Sequence, residues 1–234
     1  MLEEILCSGF AAYGLPLDEK ALARYRLYAD RLEETNKVMN LTAITGEDEI
    51  ARLHFLDSAA LLTLADFGGR RVIDVGTGAG FPGLALKIAC PETALTLLDS
   101  LDKRIGFLRE TAEALGLDDV VCMHARAEEA PSAWRGGFDI AVSRAVARLN
   151  VLCELCLPLV KRGGVFLAMK GSDHAEELTE AGHAVRLLGG EIEAERDYTI
   201  PGTDVTHSVI VIRKIADTPP KYPRRWAQIK KQPL

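Results

Sequence analysis

Arg70-Arg71-Val72-Ile73-Asp74-Val75-Gly76-Thr77-Gly78-Ala79-Gly80-Phe81-Pro82-Gly83 is the stretch that decides the fold. Val72, Ile73 and Val75 form an apolar run interrupted only by Asp74, the pattern of a buried strand in a parallel sheet. Gly76, Gly78 and Gly80 follow at alternate positions, where a backbone without Cβ atoms can turn sharply and lie against a ligand. Pro82 suits the first turn of a helix, where its missing N–H costs nothing. The helix is expected to continue through Leu84, Leu86 and Ile88 and to stop at Cys90-Pro91. Strand, glycine loop and helix together describe a small-ligand site at the carboxyl end of a strand.

Two ligand classes use such a loop. Gly78, Gly80 and Gly83 satisfy the dinucleotide pattern G-x-G-x-x-G. With the strand ending near Val75, however, the first glycine of that pattern falls two or three residues late. A methyltransferase turn beginning at Gly76 fits the register better. Asp74 weighs in the same direction. A carboxylate facing the ligand from the strand end would repel a pyrophosphate and attract the ammonium and sulfonium of S-adenosylmethionine. Two unit charges ~4 Å apart interact by about 4 kcal/mol at an effective dielectric of ~20. A tight turn with no ligand is the bland alternative.

The 234 residues suit one sizeable domain with a small appendage, and 48% hydrophobic with 26% charged residues is ordinary for a globular chain. No apolar run approaches the ~20 residues of a membrane span. Glu3 and Glu4 stand where a signal peptide would be basic, so none is expected. Cys7, Cys90, Cys122, Cys153 and Cys156 are odd in number and mostly in apolar surroundings, which points to reduced thiols and a cytoplasmic location. Cys153 and Cys156 form C-x-x-C inside a helical pattern, read as packing, and no metal site is expected. The tail 218–234 carries Lys221, Arg224, Arg225, Lys230 and Lys231 with no acid, so the remaining chain carries −11 against a total of −6. An acidic body argues against broad electrostatic capture of nucleic acid, though not against a local basic surface.

In chain order, residues 18–39 read as a helix with Leu22, Tyr25, Ala29 and Leu32 on one face. A second helix is expected over 47–66, where His54 and Asp57 share a face and either line the site or, the favoured reading, pair with each other. Residues 94–99 are a second buried strand. Its terminal Asp99 stands 23 residues after Gly76, a distance at which an acid bonds a ribose hydroxyl, a role compatible with the other reading, a cap on the next helix. Helix 102–115, strand 120–123, a turn at Ala127-Glu128, strand 138–144, helix 148–160, strand 164–169 and helix 173–188 follow. Residues 191–199 and 206–215 are expected to close the sheet as an antiparallel pair. The repeated βα units predict a doubly wound α/β sheet, mostly parallel, with a helical amino-terminal extension over 1–67, the main domain over 68–216 and the tail over 217–234. Arg144 emerges at the rim where strand ends gather, bridging an acid or serving the site. Ser143-Arg144 lacks the Asn or Asp with two prolines and an aromatic that many amine-directed methyltransferases place there.

Taken together, Asp74 to Gly83, Leu97 to Arg104 and Ser143-Arg144-Ala145 resemble the ribosomal RNA small subunit methyltransferase G family, also called GidB. Asn40 to Ile44, His54 to Ser58 and Lys221 to Arg224 add to the likeness, and Arg224 to Gln228 departs from it at its end. The resemblance implies a class I, Rossmann-like methyltransferase that moves a methyl group from S-adenosylmethionine to guanine N7 in the 530 loop of 16S ribosomal RNA, on naked RNA or on the small subunit. It implies cofactor contacts at Gly76, Phe81, Asp99, Ser100, Leu101, Ala127, Glu128 and Arg144, beside the Asp74 and Gly78 of the glycine turn. A class I methyltransferase for another RNA, a protein or a small molecule would share everything up to Asp99, and a nucleotide-binding oxidoreductase would use the G-x-G-x-x-G match.

Guanine N7 carries a lone pair and no proton, so its methylation needs no general base, in keeping with the lack of a convincing catalytic histidine. Arg144 is the candidate catalytic residue, read as a holder of cofactor, phosphate or guanine O6. Arg148 and Lys170 are candidate RNA contacts. Pro219, Pro220 and Pro223 oppose helix in the tail, which reads as an extended strap offering Lys221, Arg224 and Arg225 to phosphates and Tyr222 and Trp226 to bases.

Overall fold

The computed structural model describes residues 1–144, 146–171 and 174–234. Ala145 of the Ser-Arg-Ala motif and position 173, the expected start of a helix, lie outside the described residues. The chain runs α1 (Leu2–Ala12), α2 (Glu19–Met39), α3 (Glu47–Glu49), α4 (Asp57–Ala59), β1 (Arg71–Val75), α5 (Gly83–Ala89), β2 (Ala94–Asp99), α6 (Asp102–Ala114), β3 (Val120–His124), β4 (Phe138–Arg144), α7 (Leu149–Cys156), β5 (Val160–Lys170), α8 (Ala175–Leu187), β6 (Gly190–Thr199), β7 (Thr206–Lys214) and α9 (Trp226–Lys231). The strands form one sheet in the order β3-β2-β1-β4-β5-β7-β6. The first five are parallel, and β7 runs antiparallel between β5 and β6, as the alternation in the sequence predicts.

Each face of the sheet buries its own apolar cluster. One cluster joins α1, α2, α5 and α6, with Leu6, Tyr25, Leu84 and Leu108 among its members. The other joins α7, α8 and the tail, through Leu152, Val185, Tyr222 and Ile229. The amino-terminal helices therefore share a core with the βα units. Asp18 caps α2 by accepting from the Ala21 N–H at 2.6 Å. Beyond its end, the Asn36 side chain bonds the Thr42 backbone on both its N–H and C=O, turning the chain toward the strand ends.

Three segments differ from the sequence expectation. The single helix expected over 47–66 is instead α3, a π-helical stretch Ile50–Leu56, α4 and a 3-10 turn Ala60–Thr63. The cause lies at Leu53, whose carbonyl accepts from Arg144 at 3.0 Å, while the Asp57 N–H reaches back five residues to Arg52 O. The helix expected over 148–160 ends at Cys156, since Pro158 follows and Val160 already pairs with Phe138. The tail is not wholly extended: Trp226–Lys231 is helical, because no proline falls within this stretch and Ile229 is buried against the second core. No helix among the described residues is long and apolar enough to cross a membrane.

Candidate active site

Strand order reverses between β1 and β4, and the crevice outside their carboxyl ends is where an open α/β sheet binds ligands. Two clefts open there. The first, of about 390 Å³, is lined by the glycine loop, Phe81, Asp99, Ser100 and Arg104. The second, of about 720 Å³, has apolar walls that include Leu53, Val146, Met169 and Val205, with Lys170 and His207 among them. His54, Arg144 and Val146 line both clefts and stand between them.

The loop's geometry follows from its residues. Gly78 has φ +61°, its N–H donates to Asp99 Oδ2 at 2.9 Å, and a Cβ there would project into open space. That open space is the first cleft. A Cβ at Gly83 would lie 2.8 Å from Asp74, so only glycine lets α5 start this close to β1. Asp74, expected to face a ligand, does not line the first cleft. It is fully buried, with Oδ2 accepting the Thr77 hydroxyl at 2.6 Å and the Gly83 N–H at 2.8 Å. Burial raises its carboxyl to about 6, against the pull of those two hydrogen bonds. Its other oxygen is buried without a hydrogen-bond partner among the described residues.

Asp99 ends β2 at the cleft floor. Its two oxygens accept from Gly78 and Leu101 N–H groups, and Arg104 stands at 3.5 Å. Leu101 thus touches Asp99 by its backbone while its side chain is exposed. Ala127 and Glu128 begin a 3-10 turn after β3, and Glu128 Oε1 is buried there with no partner among the described residues. An unpaired acceptor at a strand end suits a ligand bearing N–H groups.

Arg144 closes the boundary between the clefts. Its Nη1 donates to Leu53 O at 3.0 Å and Asp57 Oδ2 at 2.8 Å, and its Nη2 to His54 Nδ1 at 2.8 Å. Since arginine only donates, His54 Nδ1 accepts, and its Nε2–H points to Thr42 Oγ1 at 2.9 Å. Burial pushes His54 down to about 3, and the Arg144 charge adds to this, so the ring is neutral at physiological pH. The ring stacks on Phe81 at 4.1 Å, and Tyr28 stacks on the same phenyl at 5.2 Å. His54 and Asp57 do not pair with each other, the favoured reading, but line the site, the other one; each holds Arg144. Asp57 also accepts from Tyr198 OH at 2.6 Å and from His207 Nδ1 at 2.8 Å. Burial alone would raise the Asp57 carboxyl; these donors carry it below the ordinary range.

The candidate RNA contacts are spread out. Lys170 is nearly buried and bonds Glu177 and the Ala147 carbonyl. Arg148 is exposed and pairs with Glu176 and Glu180. Arg224 is turned into the fold, where its Nε and Nη2 fork onto the fully buried Glu154 at 2.8 and 2.6 Å. The strap's Arg224 is thus an anchor, while Lys221 and Arg225 are exposed. Sequence reasoning gave no part in the site to Thr42, Tyr198 or His207. Thr42 stood in a quoted motif, whereas nothing in the β6–β7 alternation marks Tyr198 and His207 as site residues.

Against known families, residues 21–196 match the model described as GidB: rRNA small subunit methyltransferase G. The chain belongs to this family. Ribosomal RNA small subunit methyltransferase G of Alkaliphilus metalliredigens is 46% identical over 98% of both chains, and that of Lactobacillus johnsonii is 46% identical over the full length of both. Among solved structures, TrmN from Thermus thermophilus is similar with 26% identity and a TM-score of 0.55, over 68% of this chain and 48% of that one. The chain thus has the class I methyltransferase fold that the resemblance implies, and it is a methyltransferase.

Proposed function

We propose that the chain transfers the methyl group of S-adenosylmethionine to N7 of a guanine in the 530 loop of 16S ribosomal RNA. It would do so in the cytoplasm, on naked RNA or the small subunit. The observation that carries this reading is the junction of the two clefts at Arg144, one walled by the glycine loop and Asp99, the other by apolar side chains. The first cleft has the size of a cofactor site. Gly78 leaves it the room that a side chain would fill. Asp99, with Gly76, Ser100 and Phe81 beside it, supplies a carboxylate for hydroxyl or ammonium groups, and the Glu128 turn an acceptor for an amine. Ala127 and Leu101 flank those contacts.

The bound cofactor supplies an electrophilic methyl group on sulfur. The protein's share is position and field. Guanine N7 is already unprotonated, so no residue has to remove a proton. As the methyl moves, positive charge appears on the base. Neither His54 nor Arg144 opposes it: the ring is neutral, and Asp57 compensates the guanidinium. Arg144 acts here as a rigid wall that orients the two ligands rather than as a donor to N7. The apolar walls of the second cleft suit an unstacked base. Mapping methylated nucleotides in ribosomal RNA from cells with and without the protein tests the reading. Loss of one N7-methylguanine in the 530 loop supports it; an unchanged methylation map overturns it.

A further inference from the structure

His207 stands apart from the other polar groups of the second cleft. Besides the neutral His54, three basic side chains line that cleft, and their side-chain exposure is graded: Lys170 8%, Arg144 18%, His207 30%. The two deeper ones are matched by carboxylates, Lys170 by Glu177 and Arg144 by Asp57. His207 is the outermost, and its Nδ1 is fixed on Asp57, a carboxylate already matched by Arg144. Its ring is held by an edge contact with Tyr198 on the neighbouring strand. A base inserted between the apolar walls keeps its own backbone phosphate at the rim, where His207 stands.

We propose that His207 is a substrate-binding residue whose protonated ring gives an N–H to a phosphate of the target nucleotide. This rests on the placement of the guanine in the second cleft. With Asp57 compensated by Arg144, a protonated His207 leaves one net positive charge at the mouth of an otherwise balanced cleft. A phosphate is the anion that an RNA substrate brings there. The groups facing the ring set its proton affinity. Asp57 raises it through its hydrogen bond, while desolvation and Arg144 oppose that, and the balance lies above the ordinary histidine value. His54 is neutral. Lys170 with Glu177 on the far wall is a closed pair, and Tyr198 and Tyr13, both near Asp57, stay protonated because burial raises them.

The test measures methyl transfer to small-subunit RNA by wild type, His207→Gln and His207→Lys between pH 6 and 8.5, with the salt dependence of RNA binding. Wild type should show a KM for RNA that rises with pH while S-adenosylmethionine affinity stays flat. At pH 6, His207→Gln should raise KM about 5–10-fold with kcat within twofold, and lower the slope of log affinity against log salt by about 0.7. The gap should close near pH 8.5, and His207→Lys should restore low KM at every pH. A wild-type KM independent of pH overturns the proposal, as does a Gln variant with unchanged KM and salt slope. So does a Gln variant whose defect appears in melting temperature and cofactor affinity instead, since that marks a structural role. If wild type transfers no methyl to this RNA, the proposed function fails, a result distinct from the failure of His207 alone.

Discussion

Arg144 at the end of β4 and Asp57 at the start of α4, 87 positions apart in the chain, form an ion pair at 2.8 Å in which the carboxylate is 1% exposed. Arg144 lines both clefts, and Asp57 the second. Arg144 also replaces a helical hydrogen bond at Leu53, and Asp57 also gathers Tyr198 and His207 from the closing strands. The sequence places Arg144 on a rim where its loss would spare the fold. Its burial implies otherwise. Arg144→Ala should abolish methyl transfer and also destabilise the protein by about 1.5–3 kcal/mol, the scale of a lost charged hydrogen bond, since Tyr198 and His207 still donate to Asp57. Urea unfolding checks this; a variant as stable as wild type would show that the pair does not hold the junction.

Gly78→Ala tests the first cleft. The left-handed backbone costs a non-glycine residue about 1–2 kcal/mol, so the variant should still fold. Its methyl group would project into the space assigned to the cofactor. Calorimetric titration should show S-adenosylmethionine binding weakened at least tenfold. Unchanged affinity would remove the cofactor from this cleft.

Asp74 makes stability depend on pH in an uncommon direction for an acid. Its folded value of about 6 lies above the ordinary 3.8, so the folded state holds the proton more tightly than the unfolded chain. The stability this contributes is fully present below about pH 4 and is lost as pH rises through 6, on the order of 3 kcal/mol in all. Asn at this position can accept from Thr77 and Gly83 but does not titrate. Asp74→Asn should therefore gain on wild type between pH 4 and 7 in denaturant unfolding. A constant difference across that range would contradict the account.

Two neighbours in the tail should behave oppositely. Arg224→Ala leaves the buried Glu154 charge uncompensated and should cost about 3–5 kcal/mol. Arg225→Ala, on the surface, should change stability by less than about 0.5 kcal/mol but lower the salt slope of RNA binding by about 0.7. Equal loss of stability in both would contradict this division of roles.

The stretch from Arg70 to Gly83 discloses the glycine loop, because strand periodicity and alternate glycines are local signals. Asp99 and Arg144 are legible for the same reason, each closing an apolar strand. The junction is less so. Tyr198 and His207 come from strands whose alternation looks purely structural, and their meeting with Asp57 depends on the sheet's order. The π-helical stretch is invisible because it arises from a distant guanidinium capturing the Leu53 carbonyl. The tail had a readable sign: Glu154 lies amid Val151, Leu152, Cys153, Leu155 and Cys156, and a lone acid in such a helix needs a cation from elsewhere. The prolines of the tail drew attention to extension, while the proline-free stretch after Arg225 was able to form α9.

In the proposed function, cofactor and guanine meet across Arg144. It is tested most directly by incubating the purified protein with methyl-labelled S-adenosylmethionine and small ribosomal subunits lacking the modification, then locating the label by strand scission at N7-methylguanine. One labelled site is expected, a guanine in the 530 loop, with transfer at limiting cofactor reduced about tenfold or more in Gly78→Ala. Label on a different base or atom, or transfer undiminished in Gly78→Ala, would contradict it.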